Sequence, residues 1–197
     1  MIRNITLHTP HGSLHGQLGL PEHPRGLILI ARAHRTPEDE ATISTLQAYG
    51  YATLAMDLLT APELQFVDAT QNVPRLSQRL LEVLDLIRND GDMQELPLGL
   101  YANGDTAPAA IRCAAQRDIQ VKALSCHGGL IDRAGLQSLE LTIAPLLMIF
   151  EADDSVSLAA YQRASQHLGG PHEACKLTAT DSQIAVVTAW FVKHLGR

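Results

Sequence analysis

With 197 residues, 46% of them apolar, and a net charge of −6, the chain is long enough to bury one ordinary domain core and too apolar to be disordered. The acidic balance excludes a nucleic-acid surface. No apolar run approaches the ~20 residues that span a bilayer, and Met1-Ile2-Arg3-Asn4 opens no signal-peptide core, so no membrane association and a cytoplasmic setting are expected. Three widely spaced cysteines, Cys113, Cys126 and Cys175, make neither a disulfide framework nor a zinc site; no cofactor and no metal are expected. Oligomeric state is not legible in any pattern.

Residues 2–8 and 14–20 alternate in polarity around Thr9-Pro10-His11-Gly12-Ser13 and predict a β-hairpin. Leu27–Ala31 is continuously apolar, as in a strand buried on both faces. Thr36-Pro37-Glu38-Asp39 then starts a helix that stops at Gly50, with a capping Thr, Pro in the first turn and acids on the dipole. Ala52–Met56 is a second buried strand, ending at Asp57. Val73, Leu76, Leu80, Leu84 and Ile87 recur at helical spacing and predict a helix over 73–88.

Leu96–Ala115 reads as a buried strand, a tight turn at Asn103-Gly104-Asp105, and a small-residue helix. Further strands are expected at 121–125, 145–150 and 173–179, with helices over 156–168 and 182–195. Strands alternating with helices imply a mostly parallel eight-stranded sheet with an antiparallel N-terminal hairpin and helices on both faces. No linker or repeat divides residues 1–197, and a single domain is expected.

The segments Gly19-Leu20-Pro21-Glu22, Arg25–Leu29, Met56-Asp57-Leu58-Leu59-Thr60 and Ala189-Trp190-Phe191 resemble, in this order and spacing, the dienelactone-hydrolase-like branch of the α/β-hydrolase superfamily. The resemblance covers essentially the whole chain. It implies an α/β-hydrolase fold without a large lid, and a Ser or Cys nucleophile partnered by His and Asp. The family's nucleophile falls on Gly104, with flanks Ala102 and Thr106; its acid falls on Asp153 or Asp154; its histidine falls on Asp181; its oxyanion-loop His-Gly falls on Arg32-Ala33. Only the acid survives, so the resemblance implies a catalytically degenerate member, a small-molecule binder or interaction module.

Acyl transfer needs a hydroxyl or thiol, a base and an orienting acid. Gly104 offers no side chain, and an aspartate with a pKa near ~4 is a poor base. Relocated chemistry on small esters, lactones or halides is the competing reading. Asp105 reads either as a nucleophile, if the turn slips by one residue, or as a helix cap. Cys126-His127-Gly128-Gly129 offers a Cys and a His at a strand end, but adjacent residues on a strand point to opposite faces. His172 precedes the last strand and stands at the wrong edge of the sheet. His8, His11 and His15 bracket the hairpin turn as solvated residues or as a metal cluster. Arg32, His34 and Arg35 leave their strand at the edge where Asp105, Asp153 and Asp181 arrive. Two arrangements are expected there: an ion pair of Arg32 with Asp105 or Asp181, or an anionic ligand held by Arg32 and the next helix N-terminus. The candidate ligand-binding residues are Arg32, His34, Asn103, Asp105, Asp153 and Asp181.

Overall fold

Continuous apolar runs become central strands because helices cover both of their faces. In the computed structural model, which describes residues 1–196, β3 (Leu27–Arg32) is buried at every position. The first two strands, β1 (Ile2–Thr9) and β2 (Gly12–Gly19), form the antiparallel hairpin, and β2 pairs antiparallel with β4 (Ala52–Asp57). The remaining strands are β5 (Leu98–Asn103), β6 (Val121–His127), β7 (Leu146–Phe150) and β8 (His172–Lys176), and they join parallel to their neighbours. The sheet order is β1-β2-β4-β3-β5-β6-β7-β8.

The helices are α1 (Pro37–Ala48), α2 (Val73–Asn89), α3 (Ala107–Gln116), α4 (Leu136–Leu141), α5 (Ser155–Ser165) and α6 (Gln183–Leu195). The expected face of α2, Val73, Leu76, Leu80, Leu84 and Ile87, is buried, and Val83 joins it. A large core cluster contains these residues together with Ala31, Met56, Ala102 and Cys126 from the sheet. A smaller cluster lies on the opposite face, where Trp190 and Phe191 of α6 pack with Ile28, Ile30 and Tyr101. Burial of a ring such as Phe191, which is 0% exposed, is worth about 1.5–3 kcal/mol.

Several boundaries differ from the expectations, among them β6, which runs on to His127, and β2, which begins at Gly12. β8 ends at Lys176 rather than at 179, because β7 offers its last partner at Phe150 and the chain then turns through Thr178–Asp181. α5 ends at Ser165, and the strand expected from Leu96 begins at Leu98. After β6, the chain forms a 3-10 turn at Ile131–Ala134 and the short α4, more order than a loop with one helical turn. Among the described residues, no helix is long and apolar enough to cross a membrane.

Candidate functional site

The parallel register carries four polar side chains to one rim of the sheet. Arg32 is the Cα partner of Asp57, Ala31 that of Ala102, and Asn103 that of His127. Side chains alternate along a strand, so Asp57, Arg32, Asn103 and His127 stand on the face that carries Ala55, Ile30 and Tyr101. Their predecessors Met56, Ala31, Ala102 and Cys126 point into the large core on the other face.

The turn after β5 is a sharp elbow. Gly104 has φ +49°, a left-handed conformation that side chains disfavour, and a 3-10 turn at Gly104–Thr106 leads into α3. Thr106 is buried and fixes the elbow: its Oγ1 accepts from the Asn103 N–H at 3.1 Å and donates toward the Ala31 carbonyl at 3.0 Å. A Cβ placed on Gly104 meets nothing within 4 Å among the described residues. Gly129, by contrast, cannot carry one. Its φ is +97°, and a Cβ there falls 2.2 Å from the Gly104 carbonyl oxygen. Close packing on the elbow thus explains Gly129, whereas Gly128, at φ +66°, faces Asp154 and Ser157 at the start of α5.

Arg32 makes neither of the ion pairs expected for it. Its Nε donates to Asp57 Oδ1 at 2.6 Å and its Nη1 to Asp39 Oδ2 at 3.3 Å. Two facts redirect it: Asp57 is its register partner on β4, and α1 presents Asp39 in its first turn. Asp39 also accepts the Thr36 N–H at 2.9 Å. The expected anion site on Arg32 and the α1 N-terminus is not supported, since the guanidinium already faces two carboxylates and Asp39 caps the helix. Neither Asp39 nor Asp57 was singled out for this role from the sequence. The signals were there, an acid ending one strand and an acid in a first helical turn, but pairing them with Arg32 required the register.

A cavity of about 190 Å³ opens between the β3–α1 loop and the elbow, with Arg32, His34, Asp39, Asn103 and Asp105 on its wall. The structure thereby brings together four of the expected ligand-binding residues: Arg32, His34, Asn103 and Asp105. Asp153 and Asp181 are not on that wall. Asp153 is exposed in the turn before α5, while Asp154 caps the helix by accepting the Ser157 N–H at 3.0 Å. Asp181 is exposed, and its Oδ2 accepts from the N–H and the hydroxyl of Thr178, each at 2.7 Å. These bonds lower its pKa below the usual carboxylate range.

Cys126 is 0% exposed, and burial alone pushes its thiol up to about 12, so no nucleophilic thiolate forms there at neutral pH. His127 points the other way and its Nε2 lies 2.8 Å from Glu151 Oε1. His172 Nδ1 is 2.8 Å from the Tyr161 hydroxyl and pairs with Leu146 at the start of β7, the edge opposite the elbow. His8 bonds Ser13 at 2.9 Å, and among the described residues no group of three His, Cys, Asp or Glu side chains could hold a metal.

No family model matches the sequence. Solved structures match it over nearly their whole length. A dienelactone hydrolase from Anabaena variabilis superposes with a TM-score of 0.87, at 24% identity, over 98% of both chains. A cold-adapted esterase from an Arctic intertidal metagenomic library superposes with a TM-score of 0.76, at 15% identity, over 98% of this chain and 93% of its own. The chain has the α/β-hydrolase fold. Within that fold, Gly104 sits at the tight turn between the fifth strand and the following helix. Two curated relatives, from two strains of Mycobacterium tuberculosis, are 31% identical over 91% of this chain, and both carry a provisional phosphoribosyl transferase name. The chain spans only 44% of the length of these relatives.

Proposed function

We propose that the chain is a catalytically degenerate α/β-hydrolase-fold domain that binds a small molecule at its elbow and performs no acyl transfer. One observation carries the reading. The elbow keeps its left-handed backbone and the open space for a nucleophile side chain, yet the residue there is glycine. The nearby Thr106 hydroxyl does not replace it, because it is 1% exposed and held against the Ala31 carbonyl. The position that the resemblance gives to the histidine holds Asp181, whose depressed pKa makes it a still weaker base.

The name of the Mycobacterium tuberculosis relatives fits this division of labour. Most of their length lies outside the match, and in this reading the transferase chemistry belongs to that part. The domain described here then supplies binding beside it.

A second reading has a specific observation in its favour. His127, oriented by Glu151 at 2.8 Å, stands on the strand next to the elbow in register with Asn103. Together with Asp105 it would form an acid–base pair for hydrolysis of small esters, lactones or halides.

Intact-mass measurement after incubation with a fluorophosphonate separates the first reading from a serine- or threonine-based hydrolase. The expected result is no adduct. A stoichiometric adduct would overturn the proposal.

A further inference from the structure

We infer that His194 is a proton-sensitive latch: its neutral imidazole, seated on the chain's one tryptophan, holds the last turn of α6 against the sheet, and protonation releases that turn.

The helix is fixed unevenly along its length. Ser182 caps its first turn, and the Gln183 amide bonds to the buried Tyr101 hydroxyl. In its middle, Phe191 is fully buried over β5, where a Cβ on Gly99 would fall 2.6 Å from its ring. Beyond Phe191 the last turn is held by Leu195, by the exposed Lys193–Glu173 pair and by the contact of His194 with Trp190. Exposed pairs contribute little. The Trp190 and His194 rings lie 4.0 Å apart between centroids, tilted by 51°. Trp190 Nε1 and His194 Nε2 are both buried and have no hydrogen-bond partner among the described residues. A proton on His194 Nε2 would therefore make a buried charged donor with no acceptor, a costly state.

An aromatic face and a helix C-terminus both favour a cation, but Lys193 already uses them. Its Nζ stands 5.4 Å from the centre of the Trp190 ring and 2.8 Å from Glu173 Oε1, and it lies in the same last turn. An imidazolium beside it meets repulsion instead. The other titratable or charged groups around this turn are Cys175, which with Glu173 is on the α6 face of β8, Arg25 beside Gly196, and Tyr51, whose hydroxyl donates to the Phe191 carbonyl. Beneath α6, β5 and β6 contribute the uncharged Gly99, Tyr101 and Ala123. Burial pushes the imidazole below its ordinary value of 6.5, Lys193 adds to this, and Glu173 opposes it. A histidine lowered on folding stabilises fully above 6.5 and loses that contribution as pH falls through the folded value.

Trp190 fluorescence and the amide exchange of residues 192–196, followed on the full chain from pH 8 to pH 4.5, test this. The expected result is one reversible emission transition centred below pH 6.5. Across it, exchange at 192–196, corrected for its intrinsic pH dependence, becomes about tenfold faster while exchange in β5 is unchanged. His194→Gln is expected to abolish both effects. Lys193→Met, at an exposed position, is expected to move the midpoint up by removing the competing cation and freeing Glu173. No transition, a midpoint at or above 6.5, or a transition that survives in His194→Gln would overturn the latch. An emission change with unchanged exchange would show titration without release and also overturn it. If His194→Gln does not fold, Lys193→Met decides, and an unshifted midpoint there overturns the proposal.

Discussion

Arg32 and Asp57 are register partners on adjacent parallel strands, and the Arg32 Nε lies 2.6 Å from Asp57 Oδ1. The contact joins β3 to β4 at the rim of the sheet beside the Gly104 turn. Asp39 closes the cluster from α1 at 3.3 Å. Arg32 and Asp39 are both buried, and removing one partner of a buried pair leaves a charge uncompensated. Arg32→Met is therefore expected to cost about 3 kcal/mol in urea denaturation. A loss below about 1 kcal/mol would show that the cluster is solvated in solution.

The two elbow glycines should respond differently to alanine. Gly104→Ala meets open space and costs only the left-handed backbone, about 1–2 kcal/mol. Gly129→Ala suffers the same backbone cost and also drives a Cβ to 2.2 Å from the Gly104 carbonyl oxygen, which adds about 1–3 kcal/mol of overpacking. Thermal melts of the two variants check the order, and equal losses would contradict the packing described.

Glu63 supplies a pH signature. Its carboxylate pairs with Arg79 at 2.6 Å, and the Arg79 hydrogen bonds hold its pKa at about 2 instead of 4.5. A carboxylate depressed on folding stabilises fully above its unfolded value and loses that contribution as pH falls through the folded one. Stability is thus expected to decline between about pH 4.5 and pH 2. Glu63→Gln flattens that segment of the pH–stability curve. An unchanged slope would mean that another group carries it.

The cysteines should divide by burial. Thiols at Cys113 and Cys126 are pushed up to about 12 by burial, whereas Cys175 is half-buried on the edge strand β8. Iodoacetamide at pH 8, followed by peptide mass mapping, is expected to label Cys175 and spare the other two in the native protein. Labelling of Cys126 ahead of Cys175 would revive it as a reactive group.

The sequence was legible where the physics is local or strongly periodic. The buried run Leu27–Ala31, the apolar face of α2 and the Pro37–Asp39 helix start all appear where their patterns place them. The elbow at Gly104 was legible because a strand, a turn and a small-residue helix follow one another directly. Arg32 was misassigned because its partners, Asp39 and Asp57, are chosen by strand register and helix docking rather than by sequence distance. The resemblance gives Asp181 the histidine position just after a last strand ending at 179, but β8 loses its partner after Phe150 and ends at Lys176, and Asp181 folds into a turn with Thr178.

Steady-state hydrolysis of p-nitrophenyl acetate by the wild type, Asp105→Ala and His127→Ala addresses the central claim most directly. The account predicts three indistinguishable slow rates, none of them saturable in substrate. A saturable wild-type rate that falls at least tenfold in either variant would contradict it and establish a working hydrolase at the elbow.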